Sequence, residues 1–315
     1  MKKYLLVFLL ITLFVFASCS VKETNNSQII DNQLNNKTKI ETQIMGKYGV
    51  NLIGVSDTIH YDEGKIILPL MFKNAEPEIE VGIMVFVNGI PQNVSAEHNA
   101  FFTIPLSSNE TKAVSVDFTP STGASRDCFL LNIITLFNPS YLPNQDLDLT
   151  FGNYHSLLQL QPIKVFFNND TRNETYSAET KSCTYKPSEK EKASLLISED
   201  SPNQLCLYQD IQNDDPYLLF SPKTSLNLSL AAFGNVSASY RVTIFVNHQL
   251  VKLSGAYDYI DIDIQNGKLT TASFSLDANK VNNQDFIYAI AIPLTNTDNA
   301  AVLKSKSTFI LTETP

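Results

Sequence analysis

The chain has 315 residues, long enough for about two domains, and at 43% hydrophobic with 17% charged it can bury a real core, which excludes global disorder. Its formal charge is −9; with residues 1–18 removed, Lys2 and Lys3 go and 21 basic residues face 32 acidic ones, giving −11. So acidic a body, without a basic stripe, repels phosphate backbones and anionic headgroups, which excludes nucleic acid as a partner and electrostatic adhesion to a membrane.

The first twenty residues carry the strongest local signal. Lys2 and Lys3 precede the apolar run Tyr4 to Phe16, broken only by Thr12, and then Ala17, Ser18 and Cys19. Thirteen residues rise about 20 Å as a helix, short of a bilayer core of about 30 Å, which fits the h-region of a signal peptide over residues 1–18.

Phe16-Ala17-Ser18-Cys19 resembles the lipobox of bacterial lipoproteins. That resemblance implies lipid (diacylglyceryl, with palmitate-type chains) on the Cys19 thiol, cleavage before it, and anchoring at the extracytoplasmic face of the cell membrane. Members of that family usually carry Leu where Phe16 stands. Plain secretory cleavage after Ala17 or Ser18 is the alternative.

Residues 19–47, rich in Asn, Gln, Thr, Ser and Lys and without a sustained period, read as a flexible tether. Beyond them short apolar runs alternate with turn signals. Ile66 to Phe72, Val81 to Val87, Ala113 to Phe118 and Phe129 to Phe137 are bounded by clusters such as Asn88-Gly89 and Asn138-Pro139. Ala113 to Phe118 alternates strictly, as a half-buried strand does. No long segment has the period of an amphipathic helix.

The pattern then returns. Val85-Phe86-Val87-Asn88 matches Ile244-Phe245-Val246-Asn247, 159 residues later. Asn109 to Lys112 and Asn266 to Lys268 each lead into an alternating strand. Leu136-Phe137-Asn138 and Leu294-Thr295-Asn296 close the next apolar runs, 158 residues apart. The expectation is two copies of one β domain, 48–168 and 191–315, joined by a polar linker over 169–190. Short strands at this spacing resemble immunoglobulin-like sandwiches, so the fold class is all-β with two tandem sandwiches. The chain has no Trp, and the cysteine pair of antibody domains is absent. Phe86 to Gln92 and Phe137 to Pro143 resemble segments of uncharacterised lipoproteins of low-GC Gram-positive gut bacteria, a likeness that implies no activity.

Candidate chemistry is sparse. Cys183 and Cys206 could close a loop of about two dozen residues as a disulfide, which an extracytoplasmic address permits. Cys128 reads as an apolar thiol. Asp210, Asp214 and Asp215 form a weak cation candidate, as do Asp258, Asp261 and Asp263, since hard oxygen ligands at such spacing suit calcium. None matches an EF-hand loop, and the same residues serve equally as solvated faces. His60, His98, His155 and His248 are scattered, and His248, standing where the first copy has Gly89, reads as a turn residue. No catalytic residue and no cofactor is indicated. The functional expectation is a non-enzymatic binding or structural module of the cell envelope, partnered by an envelope protein or cell-wall polymer. A solute-binding lipoprotein of a transporter and a surface hydrolase are the alternatives.

Overall fold

The computed structural model describes residues 43–45, 48–94, 99–144, 150–171, 175–179, 182–198, 200–210, 217–221, 224–295 and 300–312. The leader and Cys19 lie outside this set. Among the described residues no helix is long and apolar enough to cross a membrane.

The first sandwich comprises β1 (Gln43–Met45), β2 (Tyr48–Leu52), β3 (Thr58–Tyr61), β4 (Ile66–Asn74), β5 (Ile79–Val87), β6 (Ile90–Pro91), β7 (Phe102–Leu106), β8 (Thr111–Phe118), β9 (Cys128–Phe137), β10 (Leu157–Gln159) and β11 (Ile163–Phe167). The second holds β12 (Ala178–Glu179), β13 (Ser182–Tyr185), β14 (Gln204–Tyr208), β15 (Tyr217–Phe220), β16 (Leu226–Phe233), β17 (Ala238–Val246), β18 (Gln249–Leu250), β19 (Tyr259–Ile264), β20 (Leu269–Leu276), β21 (Phe286–Pro293), β22 (Leu303–Lys304) and β23 (Thr308–Thr312).

Each copy pairs two sheets. In the first, β1-β2-β4-β8 faces β3-β11-β9-β5, with β6 and β7 on β5 and β10 on β9. In the second, β13-β20-β16-β14 faces β12-β19-β17-β21-β23-β15, with β18 on β17 and β22 on β21. Strands β2 to β11 and β14 to β23 correspond one to one, in the same order and with the same partners. In both copies the chain then changes sheets in the same way: β2 is antiparallel to β4 and β3 runs parallel to β11, as β14 does to β16 and β15 to β23. This is the immunoglobulin-like arrangement, and the chain is two such sandwiches in tandem.

The repeat registers differ by strand. β17 follows β5 at an offset of 159, but Val81 pairs with Phe137 whereas Tyr240 pairs with Pro293, so β21 follows β9 at 156. The expected offset of 158 for that strand is therefore wrong by two residues. A slip of two keeps every side chain on its own face of the sheet, so the pattern match survives the error.

The segment 169–190 does more than link. Within it β12 pairs parallel with β19 and β13 pairs antiparallel with β20, so the second sandwich begins well before residue 191. The α-helix α1 (Glu189–Leu195) follows, started by Ser188, whose side chain caps Glu191 N while Glu191 reciprocates at Ser188 N. This seven-residue helix is the only α-helix among the described residues, against the many helices a transporter's solute-binding protein would have.

Two apolar cores fill the sandwiches. The first gathers Leu68, Leu70, Phe72, Val81, Ile83, Val85, Val116 and Ile133; the second gathers Leu228, Leu230, Tyr240, Val242, Ile244, Ile260, Ile287 and Ala289. A third cluster belongs to neither interior. Met84, Phe86, Ile134 and Leu136 of the first copy pack with Phe245, Tyr288, Ile290 and Ile292 of the second. Along β5 and β21 successive side chains thus alternate between a sandwich core and this junction, and both faces are apolar. That double burial is why Val81 to Val87 reads as an unbroken apolar run while β8, with one face exposed, alternates.

Candidate functional site

The junction holds the densest chemistry of the described residues. Its apolar centre is flanked by a cluster of rings and polar groups drawn from both copies. His155 lies in the loop after β9, in left-handed backbone (φ 60°), and is 1% exposed. His248 lies in the β17–β18 turn, also left-handed (φ 64°), and is 9% exposed. The ring centroids are 5.1 Å apart. Phe151 and Phe286 pack on His155, and Phe101 stacks on His248 at 4.3 Å.

Each imidazole bonds across the junction. His155 Nδ1 is 3.1 Å from Ser307 Oγ of the second copy, and His248 Nε2 is 2.9 Å from the Pro139 carbonyl of the first. The other nitrogens stay at home: His155 Nε2 lies 3.0 Å from the Tyr141 carbonyl, and His248 Nδ1 lies 2.8 Å from Tyr288 Oη. A carbonyl only accepts, so Nε2 carries the hydrogen in both rings, and Nδ1 accepts from the Ser307 and Tyr288 hydroxyls. Both rings are then neutral. Burial pushes His155 down to about 3, with the charges of His248 and Lys304 acting in the same direction. Burial likewise takes His248 to about 4, against the opposing pull of its bond to the Pro139 carbonyl.

Lys304 on β22 completes the cluster. Its Nζ donates to the Ser305 carbonyl and to Ser307 Oγ, each at 3.0 Å, and stands 4.5 Å from the Tyr288 ring centroid. The residue as a whole is partly exposed, yet protein atoms crowd its ammonium, and burial lowers it to about 7. Elsewhere in the junction Gln159 accepts from Val302 N at 2.8 Å and donates to Asn132, and Arg241 Nη1 donates to the Asn88 carbonyl at 3.1 Å.

Ser307 stands between an imidazole and an amine, a grouping sequence reasoning missed because its members are scattered from 155 to 307. It is not built as a nucleophile site. The second nitrogen of His155 is tied to a backbone carbonyl, and Phe151 and Phe286 cover the ring, so no carboxylate orients the base and no substrate reaches it.

The residues singled out from sequence are spread widely. Cys19 lies outside the described residues, as do His98, Asp214 and Asp215. Asp210 is exposed, just past β14. The disulfide that the sequence allows between Cys183 and Cys206 is not formed in this structure, and both thiols are free. Cys183 pairs with Thr271, Thr271 with Ala231 and Ala231 with Cys206, so the cysteines occupy opposite edge strands of one sheet. Three interstrand steps separate them by about 14 Å, twice the reach of a disulfide. Cys128 is exposed rather than buried.

Asp258 is bound to Lys252 (3.0 Å) and accepts from Ser177 N; Asp261 receives Nε and Nη2 of Arg241 at 2.9 and 3.0 Å; Asp263 accepts from Ser239. These carboxylates are used within the fold. Among the described residues no group of three His, Cys, Asp or Glu could hold a metal ion. His60 stacks on Phe166 at 5.4 Å at the parallel β3–β11 edge. On the first sandwich Tyr141 and Tyr154 stack at 3.7 Å beside Phe137, with the exposed Leu142 next in the chain.

No protein-family model matches the chain. No curated protein matches it. Solved structures that align with it include a protein of unknown function from Porphyromonas gingivalis W83, at 10% identity and TM-score 0.25, covering 83% of this chain and 100% of that one. The periplasmic chaperone SfaE aligns at 11% identity and TM-score 0.23, over 84% and 100%. The E. coli chaperone DraB aligns at 10% identity and TM-score 0.25, over 84% and 97%. All three scores fall below 0.5.

Proposed function

We propose that this chain is a non-enzymatic binding or structural module of the cell envelope, held at the extracytoplasmic face of the membrane by lipid on Cys19. The observation that carries the reading is the junction itself. Two immunoglobulin-like sandwiches share an apolar cluster of Met84, Phe86, Ile134, Phe245, Tyr288 and Ile290, which joins them into one body. A joined double sandwich suits display of a surface away from the membrane. The polar groups that could do chemistry are turned inward and bonded to each other. Tyr154 and Leu142, exposed beside the part-buried Tyr141, offer apolar surface of the kind that an envelope protein or cell-wall polymer would contact.

The test is in-cell crosslinking with mass spectrometry in the native host, comparing the chain with its Cys19→Ala variant. One or two partners enriched only with the anchored form, together with loss of detergent-phase partitioning in the variant, are expected. Unchanged partitioning overturns the lipid anchor, and no enriched partner overturns the envelope-module reading.

A further inference from the structure

Each copy contributes one histidine to the contact with the other, and each ring bonds across it. Neither sandwich needs this contact for its own interior, because the two cores are separate and closed. We propose that the junction is an acid-labile latch: neutral His155 and His248 hold the sandwiches together, and protons taken up by the pair release them.

Nδ1 of each ring accepts a hydroxyl hydrogen, from Ser307 and from Tyr288. A proton placed on Nδ1 makes it a donor, so each hydroxyl must accept from the ring and turn its own hydrogen elsewhere; Ser307 is part-exposed and can, but the fully buried Tyr288 hydroxyl has no second acceptor among the described residues. The charges facing the pair worsen the conflict. They are Lys304 on β22, which opposes protonation of both rings, and Glu80 on β5, which favours it at His248; Tyr288 on β21 and Tyr141 after β9 are the remaining titratable neighbours. Glu80 is already engaged by the Ser140 hydroxyl. Protonation would set two imidazoliums 5.1 Å apart beside an ammonium, with one carboxylate to answer three cations. Once the sandwiches part, the rings reach water and return to ordinary values near 6.5.

The open form binds up to two more protons than the closed one between about pH 6.5 and pH 4, so its population rises by up to about a hundredfold per pH unit as pH falls through that window. Opening also uncovers Phe151, Phe286 and Phe309, which pack against one another in the closed form.

The experiment uses the full chain in detergent. Small-angle scattering from pH 7.5 to pH 4 follows separation, and circular dichroism follows the sandwiches. A second arm carries His155→Gln with His248→Gln, neutral throughout and able to keep a donor near each carbonyl. Separation on acidification with strand signal retained, reversed at pH 7.5 and absent from the double variant, is the expected result. Dimensions that hold to pH 4, separation that coincides with loss of strand signal, or an unchanged pH response in the double variant overturns the proposal. Should the double variant fail to close, imidazole C–H resonances of the unaltered chain decide. Rings that stay neutral to below pH 5 while closed support the latch, and rings that titrate near 6.5 while closed overturn it.

Discussion

Gly89 of the first copy and Arg241 of the second meet across the junction so closely that a Cβ on Gly89 would stand 2.6 Å from Arg241 Cβ. The positions equivalent to this pair, 159 residues on and back, are His248 and Gly82, and they meet through Phe101. A Cβ on Gly82 would stand 2.4 Å from the Phe101 ring, which stacks on His248. The two contacts are thus near-symmetric in position and opposite in size: a bare turn against a long strand residue on one side, a filled turn over a bare strand residue on the other. The two copies are therefore complementary, not identical, where they meet.

Gly89→Ala is expected to weaken the protein by more than Gly64→Ala. Both glycines hold left-handed backbone, φ +73° and +83°, where a Cβ costs about 1–2 kcal/mol. Nothing lies within 4 Å of a Cβ at Gly64, so backbone strain is its whole effect, while Gly89 adds displacement of Arg241. Urea denaturation of both variants gives the difference, and equal losses would mean that the junction bears no load at this turn.

Arg241→Lys should cost about 1–2 kcal/mol although the charge is kept. The guanidinium answers Asp261 with two nitrogens, lies 3.9 Å from the Tyr259 ring centroid and donates a third hydrogen bond to Asn88. An ammonium holds one of these geometries at a time. Denaturation midpoints at low and high salt check this; a loss that vanishes in salt would reduce the contact to simple charge attraction.

Much of this was legible in the sequence. Strict alternation in Ala113 to Phe118 marks a strand wet on one side, and the Asn88-Gly89 and Asn247-His248 turns mark the same hairpin twice. The unbroken runs of β5, β9 and β21 also carried the junction, since a strand apolar on both faces must be covered on both, but a run alone does not say what covers it. His248 is a turn residue as expected, and its burial is not legible in a comparison of the copies because Gly89 stands at the equivalent position and the copies are complementary there. β12 and β13 are hidden in the sequence by their shortness and polarity, and the seven-residue α1 is too short to show a helical period. Cys183 and Cys206 are near in sequence, and only the sheet order shows two strands between them.

The three body cysteines should react at different rates. Cys128 and Cys183 are exposed, and Cys206 is part-buried with its thiol pushed up by burial. Only thiolate is alkylated, so Cys206 should lag at pH 8 in the folded protein and catch up in urea. Intact mass under non-reducing conditions should show no internal disulfide between Cys183 and Cys206. Loss of two hydrogens localised to that pair would contradict the sheet order.

Lys304→Met is expected to stabilise the protein at pH 6 and to change it little at pH 10. The ammonium is lowered from 10.5 to about 7, so the closed protein disfavours the charged form. For a base whose folded value is depressed, stability falls as pH drops from the unfolded value through the folded one and is flat below. That window runs from about 10.5 to about 7, and the whole loss is present at pH 6. Methionine fills similar space beside Tyr288 without a charge, at the loss of the bonds to Ser305 and Ser307. The net gain should be about 1–3 kcal/mol at pH 6, discounted for the part of Lys304 that meets solvent. Thermal unfolding at the two pH values measures it. A variant less stable at pH 6 than at pH 10, relative to the parent, would show that Lys304 holds the junction by its charge and not in spite of it.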